Sequence, residues 1–312
     1  MIKVRAFAKI NFGLSVLGLR ADGYHEVKTV LQAIDLADQI TFEDAPSLSL
    51  RVLGQYAAPP DETNLVMKAA RSLAQRYPGR GARITLSKSI PPGAGLGGGS
   101  SDAAATLMAL ARLWGLDADP GLLYSVARAL GTDVPFFLFG GACLAVGRGD
   151  EVLPLRDFAP WHAIVLWPGV SLSTREVYSG LSGSLTSNQI LSSMKGFVPD
   201  PGGRTARDPG ASPDEKEEGE GQSPPPDVTN DLEEIAFQKL PVLRGLKERL
   251  IESGAAAAAM TGSGSAVYGL YRLRKGIEKV AASLATDTTA AFVCRTLGRE
   301  AYRRNLFERS RT

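Results

Sequence analysis

The feature that most constrains this chain is a glycine-rich segment at residues 91–101, which reads PPGAGLGGGSS. It follows an alternating, strand-like segment at residues 82–86 and runs into an Ala- and Leu-rich segment at residues 102–114. Glycine permits positive φ and close approach of a ligand to the backbone, and a helix N-terminus offers unpaired N–H groups at the positive end of its dipole. The pattern predicts a strand, a loop and a helix that together cradle a phosphate. The predicted cradle residues are Pro91, Pro92, Gly93, Ala94, Gly95, Leu96, Gly97, Gly98, Gly99, Ser100 and Ser101.

Other interpretations of this segment fit less well. A P-loop needs Lys followed by Ser or Thr after its glycines, and here Ser100 follows them directly. A dinucleotide fingerprint is matched formally by Gly93, Gly95 and Gly98, but it requires a strand ending in an acidic residue about 20 residues later. The aspartates at that distance, at positions 117 and 119, lie between two predicted helices, so this alternative ranks second. A flexible linker is disfavoured because the loop lies between a strand and a strong helix.

Length and composition limit the classes of protein to consider. With 312 residues, two domains are expected. A net charge of +2 argues against nucleic acid as the main partner. Two distant cysteines form neither a disulfide framework nor a metal motif, and no signal peptide or membrane span is evident, so we expect a cytoplasmic protein without membrane contact. The sequence carries no signal for the oligomeric state.

The remaining pattern predicts alternating helices and strands. Alternation at residues 4–12 predicts an opening strand with Arg5, Lys9 and Asn11 on its polar face. Residues 199–227 contain no aromatic or branched aliphatic side chain, which predicts a disordered insertion. Further strands are predicted at 27–34, 39–42, 82–86, 136–146, 162–167, 256–260, 266–271 and 290–294, and helices at 64–77, 102–114, 120–130, 243–251, 277–284 and beyond 295.

The glycine segment resembles the ATP-binding loop of the superfamily that includes galactokinase, homoserine kinase, mevalonate kinase and phosphomevalonate kinase. Six further segments, in order, are similar to one branch of these GHMP kinases. That branch phosphorylates the 2-hydroxyl of 4-diphosphocytidyl-2-C-methyl-D-erythritol in the non-mevalonate isoprenoid route. The segments are AFAKINFGL at 6–14, RADGYH at 20–25, GTDVPFF at 131–137, PGVS at 168–171, NDLE at 230–233 and MTGSGS at 260–265.

This resemblance implies a two-domain α+β fold. The first domain, expected at residues 1–158, would be like domain 2 of ribosomal protein S5 and contain a left-handed βαβ crossover. The second, expected at residues 159–312, would be ferredoxin-like and carry the insertion. The active site would lie in the cleft between the two domains.

The resemblance also assigns the catalytic pair. Phosphoryl transfer from ATP to a hydroxyl requires a group that accepts the proton of that hydroxyl, and a carboxylate within reach can do so. A nearby ammonium keeps the carboxylate ionised and offsets charge on the transferred group. The implied base is Asp133 and its partner is Lys9. Mg²⁺ would enter with ATP, because it keeps several waters and binds mainly through phosphates.

Further candidates follow from the same resemblance. A tyrosine ring can stack on a pyrimidine and an imidazole can hydrogen-bond a base edge. The implied acceptor-binding residues are Asn11, Tyr24, His25, Thr174, Gly262, Ser263 and Gly264. The weaker candidates for the nucleotide pocket are Asn64 and Lys88. Three other functions remain open: a kinase of the superfamily acting on homoserine or mevalonate, a dinucleotide-binding oxidoreductase, and an ATP-binding regulator without catalysis.

Overall fold

A computed structural model describes residues 1–116, 119–181, 228–272 and 274–308. The insertion predicted at residues 199–227 lies outside the described residues. In chain order the strands are β1 (Ile2–Leu19), β2 (His25–Asp44), β3 (Leu48–Gly54), β4 (Ala82–Lys88), β5 (Ala142–Val146), β6 (Glu151–Pro154), β7 (His162–Trp167), β8 (Thr229–Asn230), β9 (Ala257–Met260), β10 (Val267–Tyr271) and β11 (Ala290–Arg295). The helices are α1 (Leu65–Ala74), α2 (Gly98–Leu113), α3 (Pro120–Leu130), α4 (Phe136–Phe139), α5 (Thr174–Ser179), α6 (Glu233–Lys239), α7 (Val242–Glu252), α8 (Ile277–Leu284) and α9 (Arg299–Leu306).

The long antiparallel pair β1–β2 forms the centre of the larger sheet. The sheet has the order β3-β4-β2-β1-β8, with β5 added to β2 and β6 to β5. Residues 27–34 and 39–42, predicted as separate segments, belong to the single strand β2, so that division is wrong. A register shift opposite residues 7–9 of β1 absorbs the break in the apolar pattern, and the strand continues through it.

The connection β3–α1–β4 joins two parallel strands, which makes it a βαβ unit as the resemblance implies. Its handedness stays a prediction. Helices α1 to α3 and the short α4 share one apolar core with this sheet, here called the first core, which includes Phe7, Phe42, Leu110 and Phe136. The burial of this core accounts for the strong apolar periodicity of α1, whereas α2 is buried on nearly all sides.

One predicted strand is wrong in its first half. Residues 136–146 begin as the helix α4, turn at Gly140 and Gly141, and become strand only at Ala142. Both glycines have positive φ, 65° and 68°. An apolar run alone does not distinguish a buried helical turn from a buried strand, and here the two glycines mark the change.

The smaller sheet is antiparallel, with the order β11-β7-β10-β9. Taken in chain order, its strands are the fourth, first, third and second, which is the ferredoxin-like arrangement. Helices α6, α7 and α8 pack against this sheet around Leu243, Leu246 and Leu250. A third cluster, with Ile10, Phe12 and Tyr268, joins the two sheets along the middle of β1.

The C-terminal helix α9 returns to the first core. Tyr302 packs 5.4 Å from Phe7 between ring centroids, and its hydroxyl donates a 2.7 Å hydrogen bond to the carbonyl of Phe137. The domain boundary predicted at residue 158 assigns α9 to the second domain, but α9 lies with the first sheet. For the rest of the chain this boundary stays a prediction. Sequence alone does not reveal this, because an amphipathic helix fits either apolar surface.

Candidate active site

Lys9 and Asp133 meet in space although they come from distant parts of the first domain. Lys9 lies in the middle of β1, and Asp133 lies in the turn between α3 and α4. Lys9 Nζ is 3.7 Å from Asp133 Oδ2, and the lysine side chain is 3% exposed against 36% for the aspartate. Burial lowers the pKa of Lys9, and the charge and hydrogen bonding of Asp133 offset part of that effect.

Lys9 and Asn11 were expected on a polar strand face, yet both are 2% exposed. The second domain covers that face through the turn after β9. Asn11 Oδ1 accepts from Lys9 Nζ at 2.7 Å and from Thr261 Oγ1 at 3.1 Å, while Asn11 Nδ2 donates to Thr29 Oγ1 at 2.7 Å. The Asn11 amide oxygen is therefore committed to protein partners, and its position holds the Lys9 ammonium. Contact of Asn11 with the acceptor stays a prediction.

The glycine loop has the strand and helix neighbours that the sequence predicts. Its carbonyl groups are tied to protein: Leu96 O accepts from Lys9 N, Ala94 O from Ala266 N, and Pro92 O from Ser171 Oγ, each at 3.0 Å. By contrast, among the described residues the backbone N–H groups of residues 93–100 donate no backbone hydrogen bond. The loop thus presents a row of free donors at the N-terminus of α2, as an anion site requires.

The loop glycines are required by packing against protein as well as by ligand access. A Cβ added at Gly95 would lie 2.1 Å from the carbonyl of Thr261, and one at Gly97 would lie 2.8 Å from the Phe137 ring. Both residues also have positive φ, 76° and 71°. Close contact with protein, with the second domain at Gly95 and with α4 of the first domain at Gly97, is therefore a second physical reason for glycine here.

A second glycine turn, residues 261–265, lies against the first loop. Thr261 Oγ1 donates to Gly95 O at 3.2 Å, and a Cβ at Gly262 would lie 3.2 Å from Lys9 Nζ. Asn230 Nδ2 donates hydrogen bonds to the carbonyls of Met260 and Gly262 at 2.9 and 2.8 Å, and these two bonds hold the turn in place. Ser263 Oγ hydrogen-bonds Thr174 Oγ1 at 2.8 Å, so the predicted residues Ser263 and Thr174 are neighbours.

Tyr24 and His25 lie at the far end of the same cavity. The Arg148 guanidinium stacks 5.0 Å from the Tyr24 ring centroid, and the His25 ring lies 5.0 Å from that of Tyr178. Arg148 in turn donates to the buried carboxylate of Asp150 at 2.8 Å. Two aromatic groups with exposed polar edges fit a flat, polar ligand.

These groups line one cavity of about 900 Å³ between the domains. Its lining residues include Lys9, Asn11, Tyr24, His25, Thr29, Gly93, Gly95, Gly97, Asp133, Arg148, Thr174, Arg175, Tyr178, Gly262, Ser263 and Gly264. A volume of this size suits a small-molecule substrate.

Two candidates for the nucleotide pocket have other partners. Asn64 is the N-cap of α1: its side chain accepts from Val66 N at 2.9 Å and donates to Pro59 O at 2.7 Å. Lys88 is 5% exposed and bound to the carboxylates of Asp38 and Asp102. Neither residue lines the cavity, and their contact with nucleotide stays a prediction.

Several functional neighbours were missed from the sequence. Thr261 and Asn230 lie within segments already quoted for the resemblance, so the motifs themselves offered a signal for them. Tyr178 and Arg148 lie in ordinary helix and turn sequence, and only the tertiary structure brings them beside His25 and Tyr24.

No group of three or more His, Cys, Asp or Glu side chains within the described ranges is arranged to hold a metal ion. In the same part of the chain, no helix combines the length and apolar character that crossing a bilayer demands. The strand that a dinucleotide fold needs after its glycine helix is not found there either, since α2 is followed by α3.

Comparison with known proteins agrees with this geometry. The family model described as the GHMP kinases N terminal domain matches residues 64–141, and the GHMP kinases C terminal model matches residues 215–291. The fold and the two glycine turns thus define a GHMP kinase, a class of small-molecule kinases.

Relatives that align with most of this chain narrow the class to one family. The chain is 40% identical to 4-diphosphocytidyl-2-C-methyl-D-erythritol kinase of Solibacter usitatus over 99% of this chain and 94% of that protein. It is 39% identical to the enzyme of that name from Caldanaerobacter subterraneus subsp. tengcongensis, over 86% and 88% of the two chains. A crystal structure of 4-(cytidine 5'-diphospho)-2C-methyl-D-erythritol kinase superposes with a TM-score of 0.71 and 34% identity, over 95% and 99% of the two chains. The chain belongs to the 4-diphosphocytidyl-2-C-methyl-D-erythritol kinase family.

Proposed function

We propose that this protein transfers the γ-phosphoryl group of ATP to the 2-hydroxyl of 4-diphosphocytidyl-2-C-methyl-D-erythritol, a step of isoprenoid precursor synthesis. The observation that carries the proposal is the convergence of the free loop N–H groups, Lys9 and Asp133 on one cavity. The names of the relatives identify the acceptor, and the geometry supports the chemistry.

The donor side fits a triphosphate. The unpaired N–H groups of residues 93–100 and the N-terminus of α2 favour anionic oxygens. Ser101 Oγ is buried and has no hydrogen-bond partner among the described residues. It therefore suits a phosphate oxygen or a magnesium ion that accompanies the nucleotide. Mg²⁺ bound with ATP would neutralise charge on the phosphates and polarise the group transferred.

On the acceptor side, Asp133 takes the proton. The hydroxyl oxygen forms a bond to the γ-phosphorus, the bond from that phosphorus to the bridging oxygen of ADP breaks, and the hydroxyl proton passes to the Asp133 carboxylate. The Lys9 ammonium lies 3.7 Å from Asp133 Oδ2 and offsets negative charge that develops on the transferred group. Asn11 and Thr261 hold the ammonium in place.

The cytosine ring of the acceptor would lie beside Tyr24 and His25. The Tyr24 ring has Arg148 stacked on it, and a pyrimidine can stack on the ring as well. A His25 ring nitrogen can hydrogen-bond the polar edge of the base. Since both cysteines, Cys143 and Cys294, are buried free thiols, we also propose that the protein works in the cytoplasm.

The test is turnover by the purified protein. With ATP, Mg²⁺ and the cytidine diphosphate substrate, we expect ADP release in step with a new phosphomonoester seen by ³¹P NMR. Homoserine and mevalonate serve as alternative acceptors. Preference for either of those, or nucleotide binding with no phosphoryl transfer to any acceptor, would contradict the proposal.

A further inference from the structure

A buried ion cluster lies beneath the first turn of α2, outside the cavity lining. Lys88 Nζ donates to Asp38 Oδ2 and, at 2.8 Å, to Asp102 Oδ2. The three residues are 5%, 0% and 2% exposed. They come from three elements, Asp38 from β2, Lys88 from β4 and Asp102 from α2. Burying three charges is costly, so the cluster calls for a reason other than stability.

The cluster fixes the entrance of the glycine loop. Asp38 Oδ1 accepts hydrogen bonds from the backbone N–H groups of Ser89 and Ile90, at 2.5 and 2.8 Å. These two residues connect the end of β4 to Pro91. A carboxylate that accepts two backbone N–H groups holds their peptide planes in one orientation, so Asp38 sets the direction in which the loop starts.

The same cluster supports the exit of the loop. Gly98, the first residue of α2, packs so closely that an added Cβ would lie 2.9 Å from Ile90 Cγ2 and 3.3 Å from Lys88 Nζ. Asp102, one turn further along α2, is tied to the same ammonium. The start of the helix therefore rests on the residues that also hold the entrance.

We propose that Asp38, Lys88 and Asp102 form a positioning cluster that holds both ends of the phosphate loop in register and thereby sets the affinity for the nucleotide. The inference rests on the proposed function only in taking ATP as the donor. Lys88 acts through the loop rather than by touching the base or the phosphates. The Kd for ADP is measured without the acceptor, so its failure to change is distinct from failure of the kinase assignment.

The first experiment compares one double variant with one control variant by KM for each substrate. The double variant Lys88→Met with Asp102→Asn removes the bridge and leaves Asp38 with its two backbone donors. We expect KM for ATP to rise about ten-fold, the range for one lost hydrogen bond to a charged group, with KM for the acceptor nearly unchanged. Asp150→Asn disturbs another ion cluster, in which the buried Asp150 pairs with the partly exposed Arg128 and Arg148, and should leave KM for ATP unchanged. Equal changes in both KM values, or none, would overturn the proposal.

The second experiment needs only the single variant Asp102→Asn, whose side chain keeps the native shape. The Kd for ADP is measured calorimetrically for the native protein and the variant. We expect the Kd to rise several-fold in the variant, because the amide no longer pairs with the Lys88 ammonium that supports the exit of the loop. An unchanged Kd would remove Asp102 from the proposal.

Discussion

The ammonium of Lys9 lies 3.7 Å from Asp133 Oδ2, inside a cavity that both domains complete. Lys9 is almost fully buried while Asp133 keeps about a third of its side chain exposed. The pair therefore consists of a desolvated cation and a carboxylate that a substrate hydroxyl can reach. This asymmetry is expected of a proton acceptor, Asp133, and its cationic partner, Lys9.

Asp133→Asn should remove turnover and leave nucleotide binding nearly intact. The amide cannot accept the hydroxyl proton, and loss of a general base costs about 10²- to 10⁴-fold in rate. The measurement is kcat together with the Kd for ADP. A variant that keeps near-native kcat would exclude Asp133 as the base.

Lys9→Met should abolish turnover and, at the same time, stabilise the fold. Burial lowers the pKa of Lys9 below its ordinary 10.5, which means that holding the ammonium in the native protein is unfavourable. Because Asp133 keeps 36% of its side chain exposed and remains solvated, replacing the buried ammonium alone with an apolar side chain should raise the free energy of unfolding by on the order of 1 kcal/mol. Urea denaturation measures this change.

The same shift predicts a pH signature. Between the lowered pKa and the ordinary 10.5, the unfolded chain binds more protons at this site than the native protein, so the Lys9 contribution to stability rises with pH. That contribution should vanish in Lys9→Met. If the methionine variant is instead less stable at every pH, the ammonium is a net stabiliser and this reasoning is wrong.

Tyr24→Ala and His25→Ala should weaken binding of the acceptor far more than binding of ATP. Loss of a stacking ring or of one hydrogen bond to the base corresponds to about ten-fold in KM for the acceptor. KM for both substrates in each variant provides the measurement. Tyr24→Phe, which retains the ring under Arg148, is the matched control and should remain close to the native protein. Parallel rises in both KM values would refute the assignment.

Gly95→Ala should disrupt the site, and Gly99→Ala should not. At Gly95 the new Cβ would meet the Thr261 carbonyl at 2.1 Å and the residue has φ of 76°, whereas at Gly99 its nearest neighbour is Leu65 Cδ1 at 3.6 Å. We expect Gly95→Ala to cost several kcal/mol of stability or the nucleotide site itself, since backbone must shift. Thermal unfolding with and without ADP tests both. Loss of ADP binding in both variants alike would mean that clearance for the ligand, not packing, dictates these glycines.

Thr261→Val should lower kcat/KM about three- to ten-fold, the range for one net hydrogen bond. The valine keeps the shape of threonine but loses the donor to Asn11 Oδ1 and Gly95 O. Thr261→Ser retains the hydroxyl and should recover most of the activity. An unaffected Thr261→Val would show that Asn11 holds Lys9 without help from the second domain.

The sequence by itself determined the local elements and the chemistry of the loop. Periodicity predicted β1, β4 and α2, and Asn64 and Asp119 cap helices because their side chains act on neighbouring N–H groups. The free N–H groups at the start of α2 follow from glycines placed before a helix, which is also a local property. The motifs were specific enough to imply the family.

Only the tertiary structure decided which distant residues become neighbours. The alternating pattern suggested that Lys9 and Asn11 lie on a solvated strand face, but the turn at Thr261 buries both side chains. The sequence suggested Lys88 as a nucleotide contact, and only the tertiary structure showed that it is bound to Asp38 and Asp102. Residues 136–139 form a helix rather than the first part of a strand, and they are packed in the core around Phe136. Long-range contacts fix burial and charge environment, and a single sequence carries local propensity but not the identity of distant neighbours.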